Sequence, residues 1–188
     1  MEELLKESLS EEETLLWSGR PEPFETLDKT HKKPFIRSAI ITALITLAIC
    51  AAYVILIIIE NTQLKPGVLV VVAACGVFLI LRSLLDASKI RKQVQYAITD
   101  KRLMILTDNA KSIEYSAVSV SKLDRDEDGH ISLLCGENAV KAKPWKRRAA
   151  VLTGAVINDN TGMCVSFVMY AIPDADKVKE ILKPYLSL

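Results

Sequence analysis

The sequence predicts an α+β membrane protein, in which a hairpin of two transmembrane helices precedes an antiparallel β-barrel of about seven strands capped by a C-terminal helix. Residues 39–59 contain no charged side chain, and residues 68–81 form a second uncharged run, although 25% of the 188 residues are charged. The mean hydropathy is therefore positive, +0.23. After residue 93 the apolar residues occur in short alternating segments, which are typical of β-strands.

Residues 1–35 are predicted to form an acidic arm on the cytoplasmic side. The first 28 residues include nine acidic and only two basic side chains. Ser10 and Glu13 fit the capping box at the start of a helix. Leu16 and Trp17 are expected to dock on the following domain or at the membrane interface, because a tryptophan side chain is unfavourable in water. A solvated arm is the alternative.

Residues 36–92 are predicted to form the membrane hairpin, with spans at about 39–59 and 66–85. A helix rises 1.5 Å per residue, so the first span is about 31 Å long and matches the roughly 30 Å hydrocarbon core of a bilayer. The second span contains one charged residue, Arg82, near its end. Near the end of a span, the long side chain of an arginine can extend to the interface between membrane and water. Because residues 60–65 form a short connection, the two helices are expected to be antiparallel neighbours.

The distribution of lysine and arginine predicts the orientation of the hairpin, because these residues are enriched on the cytoplasmic side of membrane proteins. Four basic residues precede the first span, one lies in the connection and four follow the second span. They are Lys29, Lys32, Lys33 and Arg37, then Lys65, then Arg82, Lys89, Arg91 and Lys92. We therefore expect a multi-pass protein of the cell (plasma) membrane with both termini in the cytoplasm. The first span has no acidic, histidine or lysine side chain, which disfavours a transporter or channel.

Residues 93–188 are predicted to form the cytoplasmic domain. Its strand-like segments start near residues 96, 103, 112, 118, 131, 151 and 163. Asp128 followed by Gly129 predicts a hairpin turn. The last segment changes to a helical period, and the residues on its apolar face are Ala175, Val178, Ile181, Leu182 and Tyr185. These segments predict the barrel and its helical cap.

Two short motifs flank the predicted membrane hairpin, one on each side of it. Residues 96–106 read YAITDKRLMIL and follow it directly, while residues 16–21 read LWSGRP and precede it. The first motif resembles the initial β-hairpin, and the second a short N-terminal motif, of the bacterial pleckstrin-homology-like (PH-like) membrane proteins. The resemblance implies a PH-like cytoplasmic domain. It also implies a structural role in the hairpin for Tyr96, Thr99, Asp100 and Arg102.

The resemblance further implies a candidate lipid contact. PH domains often hold phosphorylated headgroups at this first loop, so Lys101 and Arg102 are candidates for contact with lipid phosphates. Residues 137–150 look like an extra excursion between strands, compared with the family pattern.

The basic loop of residues 141–148 is the main candidate binding site. Its candidate residues are Lys141, Lys143, Trp145, Lys146, Arg147 and Arg148. The domain starts shortly after the second span, so the loop is expected near the anionic inner leaflet. Each basic residue there contributes about 1 kcal/mol to attraction. A solvated loop and an acidic partner, including the N-terminal arm, are the alternatives.

Other kinds of site are disfavoured by the sequence. Residues 124–129 begin like a calcium loop, but the twelfth position is Cys135 and the flanking segments predict strands, which favours an acidic hairpin turn. The four cysteines lack CxxC spacing, so we expect neither a metal site nor a disulfide framework. The motifs of hydrolases, metalloproteases and phosphate-binding loops do not occur. A net charge of +1 disfavours nucleic-acid binding.

The sequence therefore predicts a non-enzymatic, membrane-tethered protein-interaction or assembly module without a cofactor. Its expected partners are the lipid bilayer and a membrane or cytoplasmic protein, and self-association is an open alternative. Binding or sensing of anionic lipid headgroups through residues 141–148 is the alternative function.

Overall fold

The computed structural model describes residues 2–107, 111–153, 156–157 and 164–188. The helices in these ranges are α1 (Glu2–Ser8), α2 (Lys29–Glu60), α3 (Pro66–Gln93), α4 (Glu137–Lys141), α5 (Arg147–Thr153) and α6 (Ala175–Leu182). The strands are β1 (Leu15–Gly19), β2 (Gln95–Thr99), β3 (Arg102–Leu106), β4 (Lys111–Glu114), β5 (Ser121–Arg125), β6 (Ile131–Cys135), β7 (Val156–Ile157) and β8 (Cys164–Met169). Short 3₁₀ turns occur at Tyr115–Ala117 and Pro144–Lys146.

The described strands form two four-stranded antiparallel sheets. Sheet A has the order β1-β2-β3-β4, and sheet B has the order β5-β6-β8-β7. The predicted α+β class is confirmed, but the predicted closed barrel is not observed. The 3₁₀ turn Tyr115–Ala117 separates β4 from β5, and helices α4 and α5 lie in the chain between β6 and the β7–β8 pair.

One apolar core joins the two sheets. Sheet A contributes Trp17, Tyr96, Ile98, Leu103 and Ile105, sheet B contributes Leu133, Leu134, Cys135, Phe167, Val168 and Met169, and α6 contributes Val178 and Leu182. Burial of this cluster is the main source of stability for the sheet domain, because apolar burial is the dominant favourable contribution to folding.

Sheet A is covered on both faces. Leu103 and Ile105 point into the core, whereas Met104 and Leu106 pack with Leu5 of α1 on the opposite face. Successive side chains of a strand point to opposite faces, so this apolar run fits a strand covered on both sides. Helix α1 therefore shields the outer face of sheet A.

The N-terminal arm belongs to sheet A. Strand β1 pairs with β2, with Trp17 opposite Ile98. The helix expected at Ser10 is not formed, because Ser10 and Glu13 close a turn instead: the Glu13 N–H donates to the Ser10 carbonyl at 3.0 Å, and the Ser10 N–H donates to the Glu13 carboxylate at 3.2 Å. The arm and the sheet domain thus share one core across the boundary predicted at residue 93.

Helices α2 and α3 pack side by side and antiparallel. A Cβ added to Gly76 would lie 2.5 Å from the Thr46 Oγ1, so the glycine lets the two backbones approach closely. Short residues at helix contacts serve this purpose in membrane proteins. Helix α2 begins at Lys29, well before the span predicted from residue 39, and Pro34 lies within this helix.

Helix α2 is long and apolar enough to cross a membrane, and none of its most apolar 18-residue window is buried in the protein. Helix α3 meets the same requirement only if Pro66–Arg82 and Leu84–Gln93, which are bent by 45°, count as one span. Length and composition therefore support one membrane helix.

The segment before β8 differs from the sequence-based expectation. The strand predicted from residue 151 is a helix up to Thr153, and the described extended part is limited to Val156–Ile157. Residues 137–150 are largely helical and contact sheet B through α4 and α5. The predicted strand start at residue 163 lies outside the described residues.

Candidate functional site

Two carboxylates attach the start of α2 to the sheet domain. Asp28 is the N-cap residue, and its Oδ1 accepts a hydrogen bond from the His31 N–H at 2.9 Å. Asp128, in the β5–β6 turn, accepts from the N–H groups of Lys29 (3.1 Å) and Thr30 (3.0 Å). Burial raises the Asp128 pKa, but the hydrogen bonds from Thr30 and Lys29 outweigh burial and lower it overall. A negative charge is favourable at a helix N-terminus, so the acidic turn helps to cap α2.

Arg148 connects α5 to the same helix start. Its Nη2 donates to the Asp28 carboxylate and to the Tyr170 hydroxyl (3.2 Å), and its Nη1 donates to the Thr26 carbonyl (3.0 Å). The guanidinium also lies 4.2 Å from the centre of the Phe24 ring. Arg148 is 5% exposed and Asp28 is 6% exposed. A charge shielded from water in this way needs its partner, so the pair ties α5 to α2.

Tyr170 extends these contacts into sheet B. Its hydroxyl donates to the Asp126 carboxylate at 2.9 Å, while the Tyr96 hydroxyl donates to the Tyr170 carbonyl at 2.9 Å. Burial raises the pKa of both tyrosines, so both stay neutral. We call Asp28, His31, Asp126, Arg148 and Tyr170 the junction cluster.

His31 has a ring nitrogen without a hydrogen-bond partner among the described residues. Its Nδ1 lies 2.7 Å from the Asp28 Oδ1, and because a carboxylate only accepts, Nδ1 carries the proton. Burial and the Arg148 charge lower the His31 pKa, although Asp28 opposes them. The neutral ring then has an acceptor at Nε2, which is buried and has no hydrogen-bond partner among the described residues.

A cavity of about 330 Å³ lies beside the junction cluster, and we call it the junction cavity. The apolar side chains that line it on α2 and α3 include Phe35, Ala39, Leu79, Ile80 and Leu84. Its polar and aromatic lining includes His31, Asp86, Trp145, Lys146 and Arg148. The volume is within the range of small-molecule sites, roughly 300 to 1,000 Å³. The cavity is therefore amphipathic, with its apolar part on the two long helices.

A second surface surrounds the loop before α5, and we call Lys33, Arg37, Lys143, Trp145 and Lys146 the basic–aromatic surface. The Lys143 ammonium lies 5.0 Å from the centre of the Trp145 ring. Trp145 shares a groove with Lys33, Arg37, Ile41 and Thr42 of α2. The last two belong to the uncharged run of residues 39–59, so Trp145 sits where the charged part of α2 gives way to its apolar part.

The other basic residues of the predicted loop have partners within the protein. Arg147 is 3% exposed and donates to the Asp124 carboxylate, and Arg148 belongs to the junction cluster. Lys141 lies on the surface and pairs with Glu137 at 2.8 Å. Of the six predicted loop residues, Lys143, Trp145 and Lys146 therefore remain free to face an external ligand.

The two candidates at the β2–β3 turn, Lys101 and Arg102, have partners in the N-terminal arm. The Arg102 Nε donates to the Glu13 Oε1 at 2.8 Å, and the Arg102 Nη2 donates to the Ser8 carbonyl at 2.8 Å. The hydrogen bond from Arg102 is the main reason that the Glu13 pKa falls to about 2. Lys101 is exposed, and its ammonium lies 3.8 Å from the Glu12 carboxylate. Arg102 thus fastens the arm to sheet A.

The two arm residues proposed to dock differ in their surroundings. Trp17 is 6% exposed and lies in the core, whereas Leu16 is 37% exposed on the edge strand β1.

The junction cluster was not recognised from the sequence. Asp28 directly before a helical run is an N-cap signal that was available. The partner of Asp28, Arg148, is 120 residues away, and no local spacing indicates this pairing. In the part of the chain that the structure describes, no group of three or more His, Cys, Asp or Glu residues is arranged to hold a metal ion.

Comparison of the chain with models of known protein families, with curated proteins and with solved structures gives no match.

Proposed function

We propose that the chain is a non-enzymatic integral membrane protein whose sheet domain is a tethered module of PH-like type. Helices α2 and α3 both cross the bilayer, and both termini lie in the cytoplasm. The observation that carries the proposal is the uncovered apolar surface of α2, where Leu47, Ile58 and Ile59 are 67%, 72% and 73% exposed. A continuous apolar surface of this kind is unfavourable in water and is expected in contact with lipid or protein.

The junction cluster supports a fixed placement of the module. Its hydrogen bonds join α5, the β5–β6 turn and the end of β8 to the start of α2, and Asp128 of the same turn accepts from the Thr30 N–H in the first turn of α2. The domain is thus attached through a buried ion pair as well as through the chain at α3. This attachment determines which face of the domain is held toward the membrane.

We infer that the face held toward the membrane binds anionic lipid headgroups through the basic–aromatic surface. Trp145 is 38% exposed, and tryptophan is enriched at the level of the headgroups. Lys143, Lys146, Lys33 and Arg37 are exposed around it. Each basic side chain close to an anionic leaflet adds about 1 kcal/mol of attraction.

Lysine footprinting of the full-length protein tests this function. The protein is placed in nanodiscs of phosphatidylcholine, with or without phosphatidylglycerol, and its lysines are modified with an amine-reactive reagent. We expect Lys143 and Lys146 to react more slowly in the anionic nanodiscs and to recover in high salt, because salt screens exposed charges. Lys179, which is exposed on α6, is the control and should react equally in both.

Equal reactivity of Lys143 and Lys146 in neutral and anionic nanodiscs would contradict headgroup binding. The tethered module would then act through a protein partner. The edge strand β1 favours this second function, because Leu15 and Leu16 are 38% and 37% exposed on it. An edge strand can pair with a strand of another chain.

A further inference from the structure

The junction cavity combines an apolar wall with polar side chains that include His31, Asp86 and Arg148. The His31 Nε2 and the Arg148 Nε are buried and have no hydrogen-bond partner among the described residues. Asp86 also lines the cavity, and it makes neither a hydrogen bond nor an ion pair within the described part of the chain. Asp86 is only partly buried, so its carboxylate is an acceptor that a donor inside the cavity can reach.

The charges around the cavity indicate the nature of that donor. A carboxylate only accepts hydrogen bonds, so Asp86 favours a cationic hydrogen-bond donor. Lys146 supplies a positive charge on the same cavity, while the Arg148 guanidinium is neutralised by Asp28. A ligand that matches this lining carries an ammonium group for Asp86 and an anionic group for Lys146.

The apolar wall indicates where the ligand comes from. Phe35, Ala39, Leu79 and Ile80 belong to the helices that we place in the bilayer, and Ala39 and Ile80 lie in the uncharged runs. An acyl chain would meet apolar side chains along this wall, while the headgroup would remain at the junction cluster. The lining thus matches an amphiphile better than a fully water-soluble metabolite.

We propose that the junction cavity binds one membrane phospholipid whose headgroup carries a primary ammonium. The ammonium donates to the Asp86 carboxylate, the phosphate contacts Lys146, and an acyl chain lies along Phe35, Ala39 and Leu79. This site rests on the proposed membrane placement, because its ligand is supplied by the bilayer. It is separate from the basic–aromatic surface in what it selects, since that surface responds to net negative charge and the cavity to a hydrogen-bond donor.

Native mass spectrometry of the full-length protein in a non-ionic detergent tests the proposal. Dioleoyl phosphatidylethanolamine and dioleoyl phosphatidylcholine are added at equal concentrations, because the quaternary ammonium of the second lipid cannot donate a hydrogen bond. We expect a 1:1 adduct that forms about tenfold more tightly with the ethanolamine lipid, which is the value of one hydrogen bond to a charged group.

Two variants and a matched control separate a site from lipid that merely coats the helices. D86A should reduce the affinity for the ethanolamine lipid to that of the choline lipid, because alanine removes the acceptor. Asp86 has no hydrogen-bond partner among the described residues, so the substitution breaks no hydrogen bond there. A39W should fill the cavity and abolish the adduct, whereas A43W, on an exposed position of the same helix, should leave it unchanged. Thermal unfolding of each variant confirms that it is folded.

Equal affinity for the two lipids would overturn the proposal, as would an adduct that persists in A39W or the absence of a 1:1 adduct. These failures differ from failure of the proposed function, which appears as unchanged reactivity of Lys143 and Lys146 in anionic nanodiscs.

Discussion

At the scale of single residues, the ion pair of Arg148 and Asp28 links the long helices to the sheet domain. Both side chains are buried, and the Arg148 guanidinium is further held by Tyr170 and Phe24. A buried ion pair contributes little net stability compared with an apolar pair of the same volume, but the loss of one partner leaves a buried charge unpaired. The pair therefore defines how the two parts fit together.

Replacing Arg148 by methionine is predicted to destabilise the protein by about 3 to 5 kcal/mol, because Asp28 would stay buried without its partner. Thermal unfolding in detergent measures the effect. R125M removes an exposed arginine of β5 and is the control, with an expected change below about 0.5 kcal/mol. The double variant D28N/R148M should lose less stability than the sum of the two single variants, and simple additivity would contradict the pairing.

Glu13 determines how the arm responds to pH. Its side chain is 1% exposed, and it accepts hydrogen bonds from Arg102 and Thr99. The Glu13 pKa is lowered from its ordinary value of 4.5 to about 2, so the folded protein keeps this carboxylate ionised down to a pH of about 2. The unfolded chain therefore takes up the proton first, and this contribution to stability is lost as the pH falls from about 5 to about 2.

We predict that E13Q lowers stability at pH 7 by about 1.5 to 3 kcal/mol, the usual worth of hydrogen bonds to a charged group. The difference between the wild type and E13Q should shrink as the pH falls below 4.5, which denaturation at several pH values would show. E11Q removes an exposed carboxylate of the same arm and should have little effect at any pH. A difference that is independent of pH would contradict the ionised pair.

At the scale of elements, the close approach of α2 and α3 depends on Gly76. A methyl group there would meet the Thr46 side chain, whose Oγ1 donates to the Thr42 carbonyl at 2.8 Å. Thr46 is β-branched and so has few other rotamers in a helix. The two helices would have to separate to admit even an alanine.

G76A is accordingly predicted to lower the thermal midpoint in detergent, with a loss of about 1 to 3 kcal/mol from overpacking. G67A is the matched control, because a Cβ at Gly67 meets nothing within 4 Å. It should be neutral or stabilising by up to about 1 kcal/mol, since alanine favours a helix over glycine. Equal effects of the two substitutions would show that the helices are not in contact at Gly76.

The elements differ in how well the sequence predicts them. The hairpin of β2 and β3, the turn at Asp128 and helix α6 follow from alternation, turn residues and helical period, which are local signals. Strand β1 was not predicted, because Trp17 acts through a pairing with β2 that is about 80 residues distant. The helical segment α5 was predicted as a strand at Val151, where the apolar pattern is short and ambiguous.

The candidate site was predictable only in part, because several of its contacts join distant parts of the chain. The loop of residues 141–148 was recognised by its charge, and the structure places Trp145 and Lys146 beside α2, with the Lys143 ammonium over the Trp145 ring. That Arg147 and Arg148 are buried could not be inferred, because their partners Asp124 and Asp28 come from distant parts of the chain. The charge of a loop does not reveal which of its members are already neutralised inside the fold.

At the scale of the whole molecule, the two long helices and the sheet domain form one connected structure. The junction cluster and the contacts of α3 with α5 join them. If the helices lie in a bilayer, the domain is held at its surface with Trp145 and Lys143 toward the headgroups. Membrane placement is thus the central claim, since both the headgroup contact and the lipid cavity depend on it.

Cysteine accessibility tests this claim most directly. In full-length protein whose native cysteines are replaced, Q63C marks the connection between α2 and α3, and E137C marks the sheet domain. Each variant is treated with a membrane-impermeant maleimide in right-side-out and in inverted membrane vesicles. We predict that Q63C reacts only in right-side-out vesicles and E137C only in inverted ones. Reaction of both variants from the same side would contradict a two-span hairpin with its domain in the cytoplasm.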